Sequence, residues 1–207
     1  SVFAGASLVC VDSSDGCIKE LQRRAVEMHL RVHAVCCDAL RYTMQIAKHD
    51  VIVMNFALHY FAASERTMNQ LLRNISVGLK DGGAFVGTCV DWRTLHDAAD
   101  NGFRVPSAML VNIEASPWGR EYKYVLPGCV DLNECVVHFP TLVQVAFRHD
   151  LHLVKHRPFN GFLQEMGVTP QVANVNHNYV VFVFRKAKAT STQTVTDTAP
   201  ESVFFGS

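Results

Sequence analysis

The chain has 207 residues, 49% hydrophobic and 18% charged, and its 19 Lys and Arg balance its 19 Asp and Glu to a formal net charge of zero. That length supports one full-sized domain with a substantial core. The neutral balance argues against an extensive groove for a nucleic-acid backbone, which favours a basic surface, but leaves room for a pocket that reads a single nucleotide.

Leu8-Val9-Cys10-Val11-Asp12 is a short apolar run that closes on an acid. Ser13 or Ser14 can cap the helix that follows, in which Ile18, Leu21, Ala25 and Met28 recur at helical spacing. An acid at this place in a nucleotide-binding sheet accepts hydrogen bonds from ribose hydroxyls; an exposed or helix-capping aspartate accounts for Asp12 equally well. Arg31 to Cys37 is a second apolar run and also ends at an acid, Asp38. After Asp50, Val51-Ile52-Val53-Met54 reads as a strand buried on both faces, as in a parallel sheet covered by helices. Its aromatic-polar end, Phe56, His59, Tyr60 and Phe61, falls where ligands bind in an open α/β sheet, outside the carboxyl ends of the strands. Three such runs separated by helical segments indicate βαβ units with right-handed connections.

Ser64 to Leu79 carries Met68, Leu71, Leu72, Ile75 and Leu79 on one face, an amphipathic helix that Asp81-Gly82-Gly83 is expected to stop with a tight turn. Ala84 to Val90 is the next buried strand, ending at Asp91. Residues 100 to 135 read as an antiparallel excursion over the mouth of the sheet. Met109 to Ile113 and Tyr122 to Leu126 are strand-like, and Ser116-Pro117-Trp118-Gly119 and Pro127-Gly128 are turns. Glu134 follows; a solvated edge charge is the commoner reading of such an acid. Thr141 to His149 reads as a helix after Pro140, Leu151 to Lys155 as a strand, and Tyr179 to Phe184 as a strong closing strand. From residue 187 onward the Thr/Ser/Ala-rich composition predicts a disordered tail.

The seven cysteines, Cys10, Cys17, Cys36, Cys37, Cys89, Cys129 and Cys135, contain no Cys-x-x-Cys. Most sit in apolar runs, which fits reduced, core-filling thiols. No zinc site is expected from adjacent Cys36 and Cys37, nor a metal site from His149, His152 and His156, because neither set has ligand spacing. No stretch is long and apolar enough to span a membrane, so no membrane partner is expected.

Three pieces of the sequence resemble the mRNA cap guanine-N7 methyltransferase family, a class I, S-adenosylmethionine-dependent fold. Asn55-Phe56-Ala57-Leu58-His59-Tyr60 is close to that family's Gln-Phe-Ala-Leu-His-Tyr signature. Leu71 to Asp91 follows its helix-turn-strand pattern through Leu72-Arg73-Asn74, Leu79-Lys80-Asp81-Gly82-Gly83 and Phe85-Val86-Gly87-Thr88. Tyr122 to Phe162 carries Val130-Asp131-Leu132-Asn133-Glu134 and His138-Phe139-Pro140 in the family's order, and Tyr179 to Phe184 is similar to its closing strand. The similarity covers roughly residues 8 to 186.

The resemblance implies an α/β Rossmann-like sheet, mostly parallel, with an antiparallel last strand and an antiparallel insertion at about residues 100–135. It implies a single cap methyltransferase domain over residues 1–186. It also implies a pocket for the cap guanine made by His59, Tyr60, Glu134 and Tyr179. A carboxylate can accept both the N1–H and the exocyclic amine of guanine, a histidine can donate to its carbonyl oxygen, and tyrosine faces can stack on the base. For the methyl donor, S-adenosylmethionine, it implies Asp12 at the ribose, Asp38 and Ala39 near the adenine, and Asn55 and Tyr60 beside the donor, with Asn55 standing where Gln is usual and Ala39 where Ser is common. No metal is implied and no proton-transfer residue is needed, because guanine N7 carries a free lone pair. The expected partners are the 5′ cap of mRNA and, as a candidate, a guanylyltransferase domain or subunit; the expected compartment is the nucleus, or the cytoplasm for a viral protein. The family's first strand and glycine-rich donor turn are expected upstream of Ser1, since no Gly-x-Gly occurs in the chain. Two other readings remain: a cap-binding module without catalysis, and a class I methyltransferase acting on another small molecule.

Overall fold

The computed structural model describes residues 7–42, 48–95, 103–104, 111–113, 115–126, 128, 130–167 and 178–188. In chain order these form β1 (Leu8–Asp12), α1 (Asp15–Glu27), β2 (Val32–Cys36), β3 (His49–Asn55), a short 3-10 helix (Leu58–Phe61), α2 (Glu65–Gly78) and β4 (Leu79–Val90). There follow β5 (Phe103–Arg104), β6 (Glu121–Leu126), β7 (Val130–Cys135), α3 (Phe139–Phe147), β8 (Leu151–Pro158), α4 (Phe159–Glu165) and β9 (Tyr179–Lys186).

Local chemistry sets the helix starts. Ser14 caps α1 by accepting from the Cys17 amide at 3.3 Å, and Ser64 caps α2 by accepting from the Thr67 amide at 3.2 Å. Helix α3 starts at Phe139, two residues before the expected Thr141. Pro140 sits in its first turn, where the missing N–H costs nothing.

The strands form three sheets: β1-β2, β3-β4-β9-β8 and β5-β6-β7. Pairs β1/β2 and β3/β4 are parallel. Strand β9 runs antiparallel to both β4 and β8, so the closing strand is the one reversed member of the four-stranded sheet. The third sheet is wholly antiparallel, as expected for the insertion. The main core lies where α2 and α3 cover one face of the four-stranded sheet. Met68, Leu71, Leu72 and Ile75 of α2 and Leu142, Val145 and Ala146 of α3 meet Phe85, Phe182 and Phe184. Each fully buried side chain of this size contributes about 1.5–3 kcal/mol.

Four expectations need correction. Strand β3 is not buried on both faces: Ile52 and Met54 pack on the core, but Val51 and Val53 are 51% and 61% exposed. Successive strand residues point to opposite faces, and no described element covers the second one. Val51 and Val53 instead line a cleft of about 410 Å³ with Leu8, Val9, Cys10 and Val11 of β1, and this cleft separates the two parallel pairs. Next, Asp81-Gly82-Gly83 does not stop α2. The helix ends at Gly78, and Leu79 already pairs with His49 in β4. The three residues form a bulge inside β4, with Gly82 at φ 76 and Lys80 reaching both Asp50 oxygens at 2.8 Å. Third, Val111 to Ile113, part of the expected Met109–Ile113 strand, are a helix end and turn. Fourth, β8 runs three residues beyond the expected Lys155, through Pro158, because its pairing with β9 continues to Val180. Cys129, residues 105–110 and the predicted tail from residue 189 lie outside the described residues.

Candidate functional site

The site is built where β3 ends. Phe56 adopts φ 51, a left-handed conformation that a bulky residue rarely takes. Its amide donates to the Thr88 carbonyl at 3.0 Å, so the turn is tied to β4. The chain then enters the 3-10 helix, whose Leu58 is fully buried and whose Tyr60 is exposed, with the largely buried His59 between them. Further on, the Gly119 amide donates to the Ala62 carbonyl at 3.0 Å, and Gly119 takes φ 65. This anchors the approach to β6 beside the 3-10 helix and brings β6 and β7 over the end of the sheet.

The result is a cavity of about 380 Å³, lined chiefly by aromatic rings and holding few charged groups. His59, Tyr60, Glu134 and Tyr179, the four residues expected to hold a purine, all line it, with Phe56, Phe103, Tyr122, Tyr124 and Phe159. Such a volume and lining suit a small organic ligand oriented by a few polar groups. Tyr179 arrives by register, opposite Val90 at the end of β4. Its ring meets Phe56 edge-on at 5.0 Å. Burial, followed by a hydrogen bond with Tyr124, pushes its phenol up.

Two polar groups face each other inside this aromatic wall. His59 Nε2 lies 3.7 Å from Glu134 Oε1, with side chains 12% and 15% exposed. That separation is too long for a hydrogen bond, and His59 Nε2 is buried without a hydrogen-bond partner. Burial holds His59 below the ordinary histidine value, while the Glu134 charge opposes that shift. The other Glu134 oxygen, Oε2, accepts from the Tyr122 hydroxyl. A neutral histidine with Nε2–H beside a carboxylate presents a donor followed by two acceptors. Guanine's Watson–Crick edge presents the complement: a carbonyl acceptor followed by two N–H donors.

Of the residues expected around the methyl donor, all but Tyr60 lie elsewhere. Asp12 and Asp38 stand at the carboxyl ends of neighbouring strands, joined by the Cys37 amide donating to the Asp12 carbonyl at 2.9 Å. Each carboxylate accepts a local backbone amide, Asp12 from Ser14 at 2.7 Å and Asp38 from Leu40 at 2.8 Å. Ala39 lines the cleft between β1 and β3. Asn55 ends β3, where its Oδ1 accepts from Thr88 Oγ1 at 3.4 Å. Tyr60 lines the aromatic cavity and is 68% exposed, its ring 4.0 Å from that of His59. None of Asp12, Asp38, Ala39 or Asn55 lines the aromatic cavity.

Among the described residues, no group of three or more His, Cys, Asp or Glu side chains is placed to hold a metal. His149 pairs with Asn69 at 3.1 Å, His152 lies edge-on to Phe147, and His156 stacks on Phe139. No described helix is long and apolar enough to cross a membrane.

The sequence reading missed Tyr122, Tyr124 and Phe103 as wall residues. A signal existed for the tyrosines. Tyr122 and Tyr124 alternate on one strand face, and counting back from the Pro127-Gly128 turn sets Tyr122 opposite Glu134, the observed pairing.

Residues 3–198 match the family model of the mRNA (guanine-N(7))-methyltransferase domain. Among curated relatives, the chain is 27% identical over 185 residues to the mRNA cap guanine-N(7) methyltransferase of Drosophila melanogaster, covering 76% of this chain and 43% of the relative. It is 28% identical over 196 residues to mRNA cap guanine-N(7) methyltransferase 1 of Oryza sativa subsp. japonica, covering 81% and 53%. The chain therefore spans about half the length of the relatives it matches. Among solved structures, a SAM-dependent methyltransferase from Methanosarcina mazei superposes with a TM-score of 0.61 at 11% identity, over 88% of this chain and 82% of the other. That likeness concerns the α/β methyltransferase fold, whereas the family match extends across the strands and the hairpin that build the aromatic cavity. This chain belongs to the mRNA (guanine-N(7))-methyltransferase family.

Proposed function

We propose that the protein transfers a methyl group from S-adenosylmethionine to N7 of the guanine in the 5′ cap of mRNA, and that the aromatic cavity is the guanine pocket. The observation that carries this reading is the unpaired, buried His59 Nε2 set 3.7 Å from the Glu134 carboxylate within an aromatic wall. His59 donates to the guanine carbonyl oxygen, Glu134 accepts from N1–H and the exocyclic amine, and Tyr60 and Tyr179 offer ring faces. Charge-assisted bonds to a carboxylate are the stronger kind, and base–aromatic stacking adds about 1–3 kcal/mol per base. Adenine presents an amine where guanine has its carbonyl and lacks the N1–H, so it opposes both His59 and Glu134.

The chain's own residues fit the adenosine half of the donor. Asp12 and Asp38 are carboxylates at adjacent strand ends, each with acceptor capacity beyond the one local amide it binds. Asp12 would hold the ribose, Asp38 and Ala39 the adenine, and Asn55 and Tyr60 would lie between donor and cap. S-adenosylmethionine, when bound, would supply the sulfonium methyl, which passes in line to guanine N7 as its bond to sulfur breaks and S-adenosylhomocysteine leaves. The protein's task is then alignment, which can supply as much as about 7–11 kcal/mol of a barrier. No residue has to move a proton. Val51 and Val53 leave an open strand face against β1. A further strand seated between β1 and β3 would join the two parallel pairs and complete the donor side, in keeping with a domain over residues 1–186 that needs an additional segment. A guanylyltransferase domain or subunit is the candidate partner that would supply the unmethylated cap.

The test is Glu134→Ala in the full-length protein, titrated with GpppA and separately with S-adenosylhomocysteine. Cap affinity should fall at least ten-fold while S-adenosylhomocysteine binding is retained. Unchanged GpppA affinity would refute the pocket assignment.

A further inference from the structure

Glu134 does not stand alone in the wall. It is the direct cross-strand neighbour of Tyr122 in the β6/β7 pair. Tyr122 is 2% exposed and packs with Leu95, Phe103, Ile113 and Val136 in a second core beneath the cavity. Its ring lies 5.5 Å from that of Phe103. Its hydroxyl donates to Glu134 Oε2. Oε1 is the oxygen turned toward His59. A rigid, buried phenol therefore fixes the plane of the one carboxylate among the described residues lining the cavity and makes its two oxygens inequivalent.

We propose that Tyr122 is a positioning residue for base specificity: it holds Glu134 Oε2 where the exocyclic amine of guanine arrives, leaving Oε1 for N1–H. This rests on the guanine-pocket reading above. The assignment of oxygens follows from order along the base edge. His59 marks the carbonyl end, so the adjacent Oε1 meets N1–H and the far Oε2 meets the amine. A carboxylate oxygen has lone pairs for two donors, so Oε2 can accept from Tyr122 and from the amine together. Burial, followed by the bond to Glu134, pushes the Tyr122 phenol up, which keeps its O–H a donor throughout the working pH range. Tyr122 acts through Glu134, and its effect should depend on whether the base carries the amine.

The experiment compares GpppA with IpppA, whose hypoxanthine lacks only that amine, by calorimetric titration of the full-length protein. The wild type should prefer GpppA. Tyr122→Phe removes one oxygen atom and should weaken GpppA roughly ten-fold, the scale of one hydrogen bond to a charged group. IpppA binding should change far less, so the guanine-to-hypoxanthine preference contracts, while S-adenosylhomocysteine affinity stays at the wild-type value. A preference equal to wild type in Tyr122→Phe, with both caps either unaffected or weakened alike, would overturn the proposal. Glu134→Gln gives an independent arm that does not rely on Tyr122→Phe folding. The Tyr122 donor should hold the amide oxygen at the Oε2 place and turn the amide nitrogen onto N1–H. Both caps then weaken by a similar factor and the preference survives; loss of the preference in Glu134→Gln would overturn the proposal. Failure of the wild type to bind GpppA at all would overturn both this proposal and the guanine-pocket reading. A wild type that binds GpppA with an unchanged preference in Tyr122→Phe would overturn this proposal alone.

Discussion

At the scale of single residues, burial works against the charged form of the histidine that faces Glu134. His59 is lowered from the ordinary histidine value of 6.5, chiefly by burial. His149 and His156 are lowered as well, again with burial as the largest cause. The sign of the consequence is fixed by which state binds protons. As pH drops through 6.5, these histidines take up protons in the unfolded chain before they do so in the folded one, so folding stability declines with acidification and is insensitive to them above 6.5. Melting curves at pH 7.5 and 5.5 should therefore give a lower Tm at pH 5.5; equal values would show that the three rings protonate alike in both states. Residue identities were legible to different degrees. His59, Tyr60, Glu134 and Tyr179 were assigned to a purine through the resemblance of the motifs that carry them; singly, each reads as readily as a packed aromatic, a satisfied histidine or an edge charge. Asp12 was ambiguous between ribose acceptor and helix cap. The structure shows Ser14 as the cap and the Asp12 carboxylate accepting from the Ser14 amide, which leaves it with capacity for further donors.

At the scale of elements, β4 lies tightly between β3 and β9. Gly87 pairs with Met54 and Phe182. A Cβ there would lie 2.2 Å from the Met54 carbonyl oxygen and 2.5 Å from the Phe182 ring. A backbone atom cannot swing aside as a side-chain end can. Gly87→Ala should thus cost about 1–3 kcal/mol in the manner of an overpacked core, or roughly 2–12 °C in Tm at this chain length. Differential scanning calorimetry checks this, and a Tm within a degree of wild type would contradict the packing described. The elements themselves were largely readable. Ser13 or Ser14 announced α1 and Ser64 announced α2, whereas β7, the partner of β6 beyond Pro127-Gly128, was not foreseen as a strand. The misreadings share a cause: pattern reports which residues are apolar, not what lies against them. Val51-Ile52-Val53-Met54 looked like a strand covered twice, yet only Ile52 and Met54 pack on the core. The glycines after Asp81 looked like a helix stop, yet tertiary pairing of Leu79 with His49 ends the helix earlier and turns them into a bulge.

At the scale of the whole molecule, two places are set against each other across the end of the four-stranded sheet. One is the aromatic cavity, assembled from distant stretches that include the ends of β3 and β4, the antiparallel sheet and the start of β9. The other is the open face between β1 and β3, near which Asp12, Asp38 and Asn55 end their strands or turns. Family membership was legible because the motifs of the first place recur in order along the chain. The separation of the parallel strands into two sheets concerns what fills the space beside Val51 and Val53, where the sequence led us to expect a further strand of the family. The central claim is that methyl transfer occurs at guanine N7 in a pocket read by Glu134. It is tested most directly by incubating the full-length protein, as wild type and as Glu134→Ala, with methyl-labelled S-adenosylmethionine and GpppA- or ApppA-capped RNA, then digesting the product and locating the label. The account predicts label on N7 of the cap guanine with wild-type protein, none with ApppA-capped RNA, and at least a ten-fold loss with Glu134→Ala. Label on ApppA-capped RNA, or undiminished labelling by Glu134→Ala, would contradict it.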